Sequence, residues 1–354
     1  MRVLLFSRYA SLGASSRVRF LQYLPYFKDQ GVDVTVKPLF SNSYVTALYS
    51  GGSKWKEVFK GYFGRVFILF TVHKYDFVII EKELFPYMPA TAERLLRLIG
   101  VHYLVDYDDA IFHNYDLSNK SIIKRLLGKK IDVVMRCSSV VTAGNKYLAE
   151  RAKQAGAKNV EIIPTVVEAS RYKVVRKSTN ETLIVGWIGT PKTSAYLQPL
   201  LPVFEKIKKD IPVRFVAVGA RQEDFEGTAV EAWPWTEETE VTSIQQFDIG
   251  IMPLKDSPWE RGKCGYKLIQ YMACGVAVVA APVGVNCEIV EQNVHGKFAT
   301  TPEEWEQALR SLFVSGPSVV DEMGRTGRSR VQDWYSLEIQ APKLLSLIVK
   351  AATK

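Results

Sequence analysis

Short apolar runs alternate with amphipathic helical stretches along nearly the whole chain, and this rhythm limits the fold more than any other feature. In the first half, residues 2–6, 32–37, 76–80, 102–106, 139–143 and 160–163 read as strands. Residues 17–30, 53–71, a stretch ending near 99, 119–135 and 145–155 read as the helices between them. The second half repeats the order, with strands at 183–188, 213–218, 249–252 and 276–281 and helices at 193–209, 239–247, 263–273 and 302–314. Regular strand–helix alternation predicts a doubly wound parallel sheet, here twice over. A length of 354 residues also fits two domains, at roughly 150 residues each. The polar, weakly periodic stretch 164–182 reads as a linker, which sets the expected domains at 1–165 and 166–335. A helical tail at about 336–354 is expected to pack back on the first. Ligands of open parallel sheets bind beyond the carboxyl ends of the strands, so two facing Rossmann-like domains would share one cleft.

Charge is unevenly placed. Residues 1–165 hold 24 Lys and Arg against 14 Asp and Glu, and the remainder holds 22 against 23, for a net charge of +9. The first domain should therefore seek an anionic surface or substrate. Nucleic acid is disfavoured, because the basic residues form no RNA- or DNA-reading motif. Cys137, Cys264, Cys274 and Cys287 lack metal-ligand spacing, and the histidines number four, so neither a zinc site nor a disulfide framework is expected. No apolar run approaches the ~20 residues that span a bilayer. The first seven residues, MRVLLFS, read as a strand and not as a leader. The expected place is the cytoplasm.

The block from Gly262 to Gly284, GKCGYKLIQYMACGVAVVAAPVG, carries the sharpest chemical signal. Lys263 and Lys267 are four apart and share one face of the expected helix, with Leu268, Ile269, Met272 and Ala273 as its apolar stripe. Gly275 suits the helix end, and an apolar strand follows. A helix start with free N–H groups and two ammonium groups is suited to a phosphate-like ligand. Arg261, just upstream, adds a third cation. After the first strand of this half, VGWIGTPKTSAYL places Gly189 and Thr190 in a turn and Thr193 at the next helix start, where it could equally be an ordinary N-cap. Asn286 and Glu288, past the buried strand, could bond sugar hydroxyls.

In the first half, Gly13, Ser16 and Arg17 lie in SRYASLGASSRVRF, a strand-to-helix turn that resembles a phosphate loop without matching a known signature. VDYDDAIFHNYD gathers Asp106, Asp108, Asp109 and His113 after a buried strand, where acids are costly to desolvate without a role. Asp108, Asp109 and His113 could serve catalysis or acceptor binding, or orient the wall of the cleft, while Arg261, Lys263 and Lys267 together could neutralise a diphosphate without a metal. SKWKEVFKGYFGRVFILF interleaves Lys54, Lys56, Lys60 and Arg65 with aromatics at helical spacing. That pattern suits a membrane interface, or a helix packed on its own sheet.

The turn at Gly189 and the Gly262–Gly284 block, supported by SSRVRFLQYLPYF, VDYDDAIF, TAGNKYLAERA and FDIGIMPL, resemble a retaining glycosyltransferase of family 4 with the GT-B fold. The resemblance implies transfer of a sugar from a nucleotide diphosphate sugar, held by the second domain, to a glycan or lipid-linked acceptor held by the first. It implies retained anomeric configuration and no metal, with a setting in cell-surface polysaccharide or glycolipid synthesis at the inner membrane face. The family's E-x7-E signature is altered here. Gln270 stands at the second glutamate, where it would hold the ribose, and Gly262 stands at the first. Glu260 is the nearest substitute. Two other readings stay open: a nucleotide-sugar 2-epimerase of the same fold, and a catalytically silent, membrane-associated partner.

Overall fold

The computed structural model describes residues 1–175 and 182–353, so the expected linker at 164–182 falls partly outside the described residues. The chain divides into two compact units. The first comprises Met1–Thr165, Arg261–Cys264 and Gln340–Lys354; the second comprises Val166–Glu260 and Gly265–Ile339.

Each unit is built on a six-stranded, all-parallel sheet. The strands of the first are β1 (Arg2–Phe6), β2 (Asp33–Val36), β3 (Phe77–Glu81), β4 (Tyr103–Tyr107), β5 (Val140–Ala143) and β6 (Val160–Ile162), in the order β2-β1-β3-β4-β5-β6. Those of the second are β7 (Leu183–Ile188), β8 (Val213–Val218), β9 (Val230–Trp233), β10 (Ile249–Met252), β11 (Ala277–Ala280) and β12 (Gly296–Phe298), in the order β12-β11-β10-β7-β8-β9. The order reverses between β1 and β3 in one sheet and between β7 and β10 in the other. These are the switch points at which such sheets leave a crevice for ligand.

Burial explains the strands. β3, β4, β5, β10 and β11 are buried at every residue, as parallel strands covered on both faces must be. In the second unit, Val185, Trp187, Phe215 and Ile251 pack on one side of the sheet with Phe204 and Leu309, while Ile184, Ile188 and Val278 pack on the other with Leu268 and Met272. Each such side chain contributes roughly 1.5–3 kcal/mol on leaving water.

Several expected helices are shorter or divided, and each break has a cause. The stretch 17–30 resolves into Ala14–Arg19, a 3-10 turn at Leu21–Tyr23, and Leu24–Asp29, whose second position is Pro25. The stretch 193–209 begins as a 3-10 helix, Ser194–Leu200, holding Pro199, and only then becomes the α-helix Leu201–Asp210. The stretch 119–135 splits at Gly128, where a Cβ would stand 2.4 Å from the Lys124 carbonyl oxygen. Edge strands β9 and β12 and the helices Asn42–Ser50 and Pro317–Trp334 were not foreseen.

The helix expected at 263–273 starts three residues late, at Tyr266, because Gly265 holds the left-handed conformation, with φ +65°. Lys263 is therefore outside the helix and does not share a helical face with Lys267. The Arg261–Cys264 segment groups with the first unit for specific reasons. Asn145 Nδ2 donates to the Lys263 carbonyl at 2.9 Å, the Cys264 thiol donates to the Asp108 carbonyl, and Gly262 abuts Ala110 so closely that a Cβ would lie 2.5 Å from it.

Candidate functional site

In the first unit, a dense polar cluster lies at the carboxyl ends of β1, β3 and β4. Lys82 directly follows β3, is 5% exposed, and is one of three non-glycine residues with positive φ among the described residues, at +67°. Its ammonium group lies 2.8 Å from Asp108 Oδ1 and 3.8 Å from Asp109 Oδ2, and donates to Ser15 Oγ at 3.2 Å. The Ser15 hydroxyl is within 2.9 Å of both Asp108 Oδ2 and Glu81 Oε1, so its one proton serves either carboxylate. Arg8 donates its backbone N–H to Glu81 and faces Glu83 at 3.5 Å. Burial pushes the Asp108 carboxyl up, but Lys82, Arg19 and the Ser15 hydroxyl outweigh it and hold the group below the usual aspartate range. Burial opposes the charge on Lys82 as well, and Asp108 and Asp109 raise its pKa in spite of that.

The remaining sequence candidates in this unit take other roles. Asp106 forms a buried two-pronged pair with Arg19, at 2.5 and 2.9 Å, and accepts from Thr142, which makes it a fastener between a helix and β4. His113 has both ring nitrogens occupied, by Asp116 at 2.8 Å and by the Tyr147 hydroxyl at 2.8 Å. It stands apart from the Lys82 cluster in its hydrogen bonding. Ser16 is fully buried; its hydroxyl donates to Glu81 and accepts from the Tyr9 N–H, so it faces no ligand. Gly13 lets the turn pass Tyr9, where a Cβ would come within 2.1 Å of the tyrosine Cβ. Arg17 is half-buried within the Ala14–Arg19 helix. Arg261 is exposed and Lys263 half-buried.

The second unit assembles its crevice from the segments after β7 and β10. Gly189 and Thr190 form the turn after β7, closed by the Thr193 hydroxyl, which accepts from the Thr190 N–H and donates to its carbonyl, both at 3.0 Å. Thr193 is thus the turn's own brace. Gly219 comes so close that a Cβ would sit 2.2 Å from the Gly189 carbonyl oxygen. After β10, Glu260 is 4% exposed and accepts from the Tyr196 hydroxyl at 2.6 Å and from Ser257, a bond that joins the two segments across the switch point. Burial raises the Glu260 pKa, while the Ser257 and Tyr196 hydroxyls more than reverse this and leave it below the usual range.

The Tyr266–Ala273 helix is aimed at the same place. Tyr271 lies against Gly250 of β10 and donates its hydroxyl to the Ile251 carbonyl while accepting from the Ile188 N–H, which fixes the helix across β7 and β10. Lys267, half-buried in its first turn, places Nζ 5.2 Å from the centre of the Trp187 ring. The first amides of such a helix have no intrahelical acceptor and carry the positive end of its dipole. Two sequence candidates are turned inward. Gln270 is 3% exposed and donates to the Tyr172 hydroxyl, which itself donates to Glu240. Asn286 is 1% exposed and braces the turn after β11 by donating to the Ala281 carbonyl. Neither side chain is open to a ribose or sugar. Glu288 is half-buried, near the end of the short helix Asn286–Ile289. Sequence reading missed Glu81 and Lys82. Their one signal was the EKE run at the end of an apolar strand.

Residues 181–314 match the family model described as glycosyl transferases group 1. The chain carries a glycosyltransferase domain. No curated protein matches it in sequence. Among solved structures it is similar to a sucrose-phosphate synthase from Thermosynechococcus elongatus, with 14% identity over 99% of this chain and 98% of the other and a TM-score of 0.71. It is similar also to Anabaena HepE in complex with UDP, with 14% identity over 99% and 100% of the two chains and a TM-score of 0.69. A UDP-forming α,α-trehalose-phosphate synthase from Burkholderia xenovorans is 11% identical over 100% and 99%, with a TM-score of 0.67. The fold is the GT-B fold of glycosyltransferases, and the glycosyltransferase domain coincides with the β7–β12 sheet that carries the Lys267 crevice.

Proposed function

We propose that the chain transfers a sugar from a nucleotide diphosphate sugar to a hydroxyl of a glycan or lipid-linked acceptor, with retention of anomeric configuration as in family 4. The observation that carries this reading is the second unit's switch point, where the Gly189–Thr190 turn, Lys267 and the amino end of the Tyr266–Ala273 helix converge inside the matched domain. These groups would hold the diphosphate and stabilise the charge that develops on it as the glycosidic bond breaks. Arg261 and Lys263 precede that helix by five and three residues, which keeps their charge near its start along the chain. The reading needs no metal, since the chain's own cations answer the phosphate charge. A uridine nucleotide is the first donor to try, because HepE has been solved with UDP and with UDP-glucose. The Burkholderia enzyme is named for an α,α-linked product, the outcome expected of retention from an α-linked donor.

In the first unit, the Asp108–Lys82–Ser15 cluster at its own switch point is the proposed acceptor side, with a carboxylate held ionised for a hydroxyl nucleophile. A glycan or glycolipid setting for the acceptor belongs to the same reading. The test is turnover of UDP-sugars and other nucleotide sugars with glycan and lipid-linked acceptors, followed by NMR of the anomeric proton of the product. Lys267→Ala should lower kcat by about 100-fold with the fold intact. An unchanged rate removes Lys267 from the site, and conversion of a donor with no acceptor present would favour epimerisation instead.

A further inference from the structure

The helix Trp55–Leu69 is anchored firmly on one side and left bare on the other. On the inner side, the buried Arg65 guanidinium donates to the carbonyls of Ser7, Lys37 and Leu84, residues just beyond β1, β2 and β3. Gly61 meets the Leu39 carbonyl so closely that a Cβ would stand 2.1 Å from its oxygen. On the outer side, Trp55 is 82% exposed, and Phe59, Phe63, Val66, Phe67 and the capping Phe70 are exposed with it. At 100° per residue these six fall within an arc of about 120°, an apolar stripe roughly 22 Å long that Lys56 alone interrupts, near its amino end. The adjoining helix Thr91–Leu98 exposes Leu95 and Leu98, and a groove of about 450 Å³ runs between the two, lined by Phe63, Val66, Met88 and Leu95.

The charges around this stripe have one sign. Lys56, Lys60, Arg94 and Arg97 are exposed, with Lys54 half-buried. Among residues 53–70 and 86–99 the acids are Glu57 and Glu93. Glu57 accepts from the Ser41 hydroxyl, and Glu93 is buried and accepts from the Leu84 N–H. A large apolar face of this kind marks a binding surface. Aromatic rings rimmed by cations suit the headgroup boundary of an anionic membrane, where the rings enter the acyl region and the lysines stay level with the phosphates. Among the described residues no helix is long and apolar enough to cross a membrane.

We propose that the outward face of the Trp55–Leu69 helix is a docking surface for an anionic lipid bilayer. The face lies in the first unit and needs no nucleotide, so the proposal stands or falls separately from the donor reading. The full chain would be sedimented with vesicles of phosphatidylcholine alone and of phosphatidylcholine with phosphatidylglycerol. Binding to the anionic vesicles, weakened by salt, is expected. Trp55→Ser, Phe59→Ser and Phe67→Ser together should abolish it, and Lys56→Glu with Lys60→Glu should weaken it by roughly 30-fold or more. All five side chains are exposed or at the rim, so both variants should keep the wild-type melting temperature and the wild-type thermal shift with UDP. Wild-type protein left in the supernatant overturns the proposal. So does equal binding by the serine variant, or a dimer that the serine changes disrupt without any vesicle binding.

Discussion

Lys82 organises the first unit's polar cluster from a backbone conformation that costs a non-glycine residue about 1–3 kcal/mol. That strain is supported by what its ammonium holds together: Asp108, Asp109 and the Ser15 hydroxyl. Lys82→Met would leave the Asp108 carboxylate enclosed beside Glu81 without its nearest cation, and should destabilise the fold by about 3–5 kcal/mol at neutral pH. Its pH dependence follows from Asp108's lowered pKa. The pair's contribution is complete above the ordinary carboxylate value of about 4 and disappears as pH falls through the lower folded value. Urea midpoints of wild type and variant should therefore converge on acidification from pH 6 towards pH 3. A gap that stays constant would show that the pair does not stabilise the fold. Asp108 and Asp109 were legible in sequence because acids after an apolar strand demand a partner. Lys82 was not, because a lysine between two glutamates reads as a solvated charge run until its burial is seen. Gln270 and Asn286 differ in the opposite sense. Their amides suit a sugar, and only packing shows that Tyr172 and a backbone carbonyl already engage them.

Among the elements, the Tyr266–Ala273 helix depends on two neighbours for its aim. Tyr271 ties it to the sheet, and the Pro317–Trp334 helix packs behind it through Gly324 and Gly327. At Gly324 a Cβ would lie 1.9 Å from the Gly275 carbonyl oxygen, a backbone atom that cannot swing aside. Gly324→Ala must therefore push the two helices apart. A cost of about 1–3 kcal/mol is expected, the range of overpacking, with a weaker affinity for the donor nucleotide. Calorimetry with and without UDP checks both, and an unchanged melting temperature would mean that the contact relaxes freely. The periodicity that made the central strands legible is the period of elements buried on both faces. It failed where that condition lapses: β9 and β12 are short edge strands with half-buried residues, and the packing stripe of the Pro317–Trp334 helix sets Gly324 and Gly327 between Met323 and Val331, which thins its apolar signal. The late start of the Tyr266–Ala273 helix was hidden for a related reason, since nothing in the letters distinguishes a left-handed glycine before a helix from one within a loop.

At the scale of the whole molecule, two sheets with the same reversal of strand order carry different chemistry at their switch points. The first sets carboxylates around one lysine, and the second sets a lysine and a helix amino end beside a glycine turn. The excess of positive charge in residues 1–165 belongs to the unit with the exposed aromatic helix and not to the unit with the matched glycosyltransferase domain. The two proposed anionic partners are thereby separated: a lipid surface for one unit and a nucleotide for the other. If the nucleotide binds only the second unit, its binding free energy must appear as stability of that unit. At 100 times its dissociation constant a ligand adds about 2.7 kcal/mol. For a body of this size each kcal/mol raises the melting temperature by roughly 2–4 °C, so a scan with saturating UDP should show a shift of roughly 5–11 °C. Lys267→Ala should suppress that shift, whereas the serine and glutamate changes on the Trp55–Leu69 helix should leave it whole. A shift retained by Lys267→Ala but lost on changing Lys82 would move the nucleotide to the first unit and invert the assignment of donor and acceptor sides.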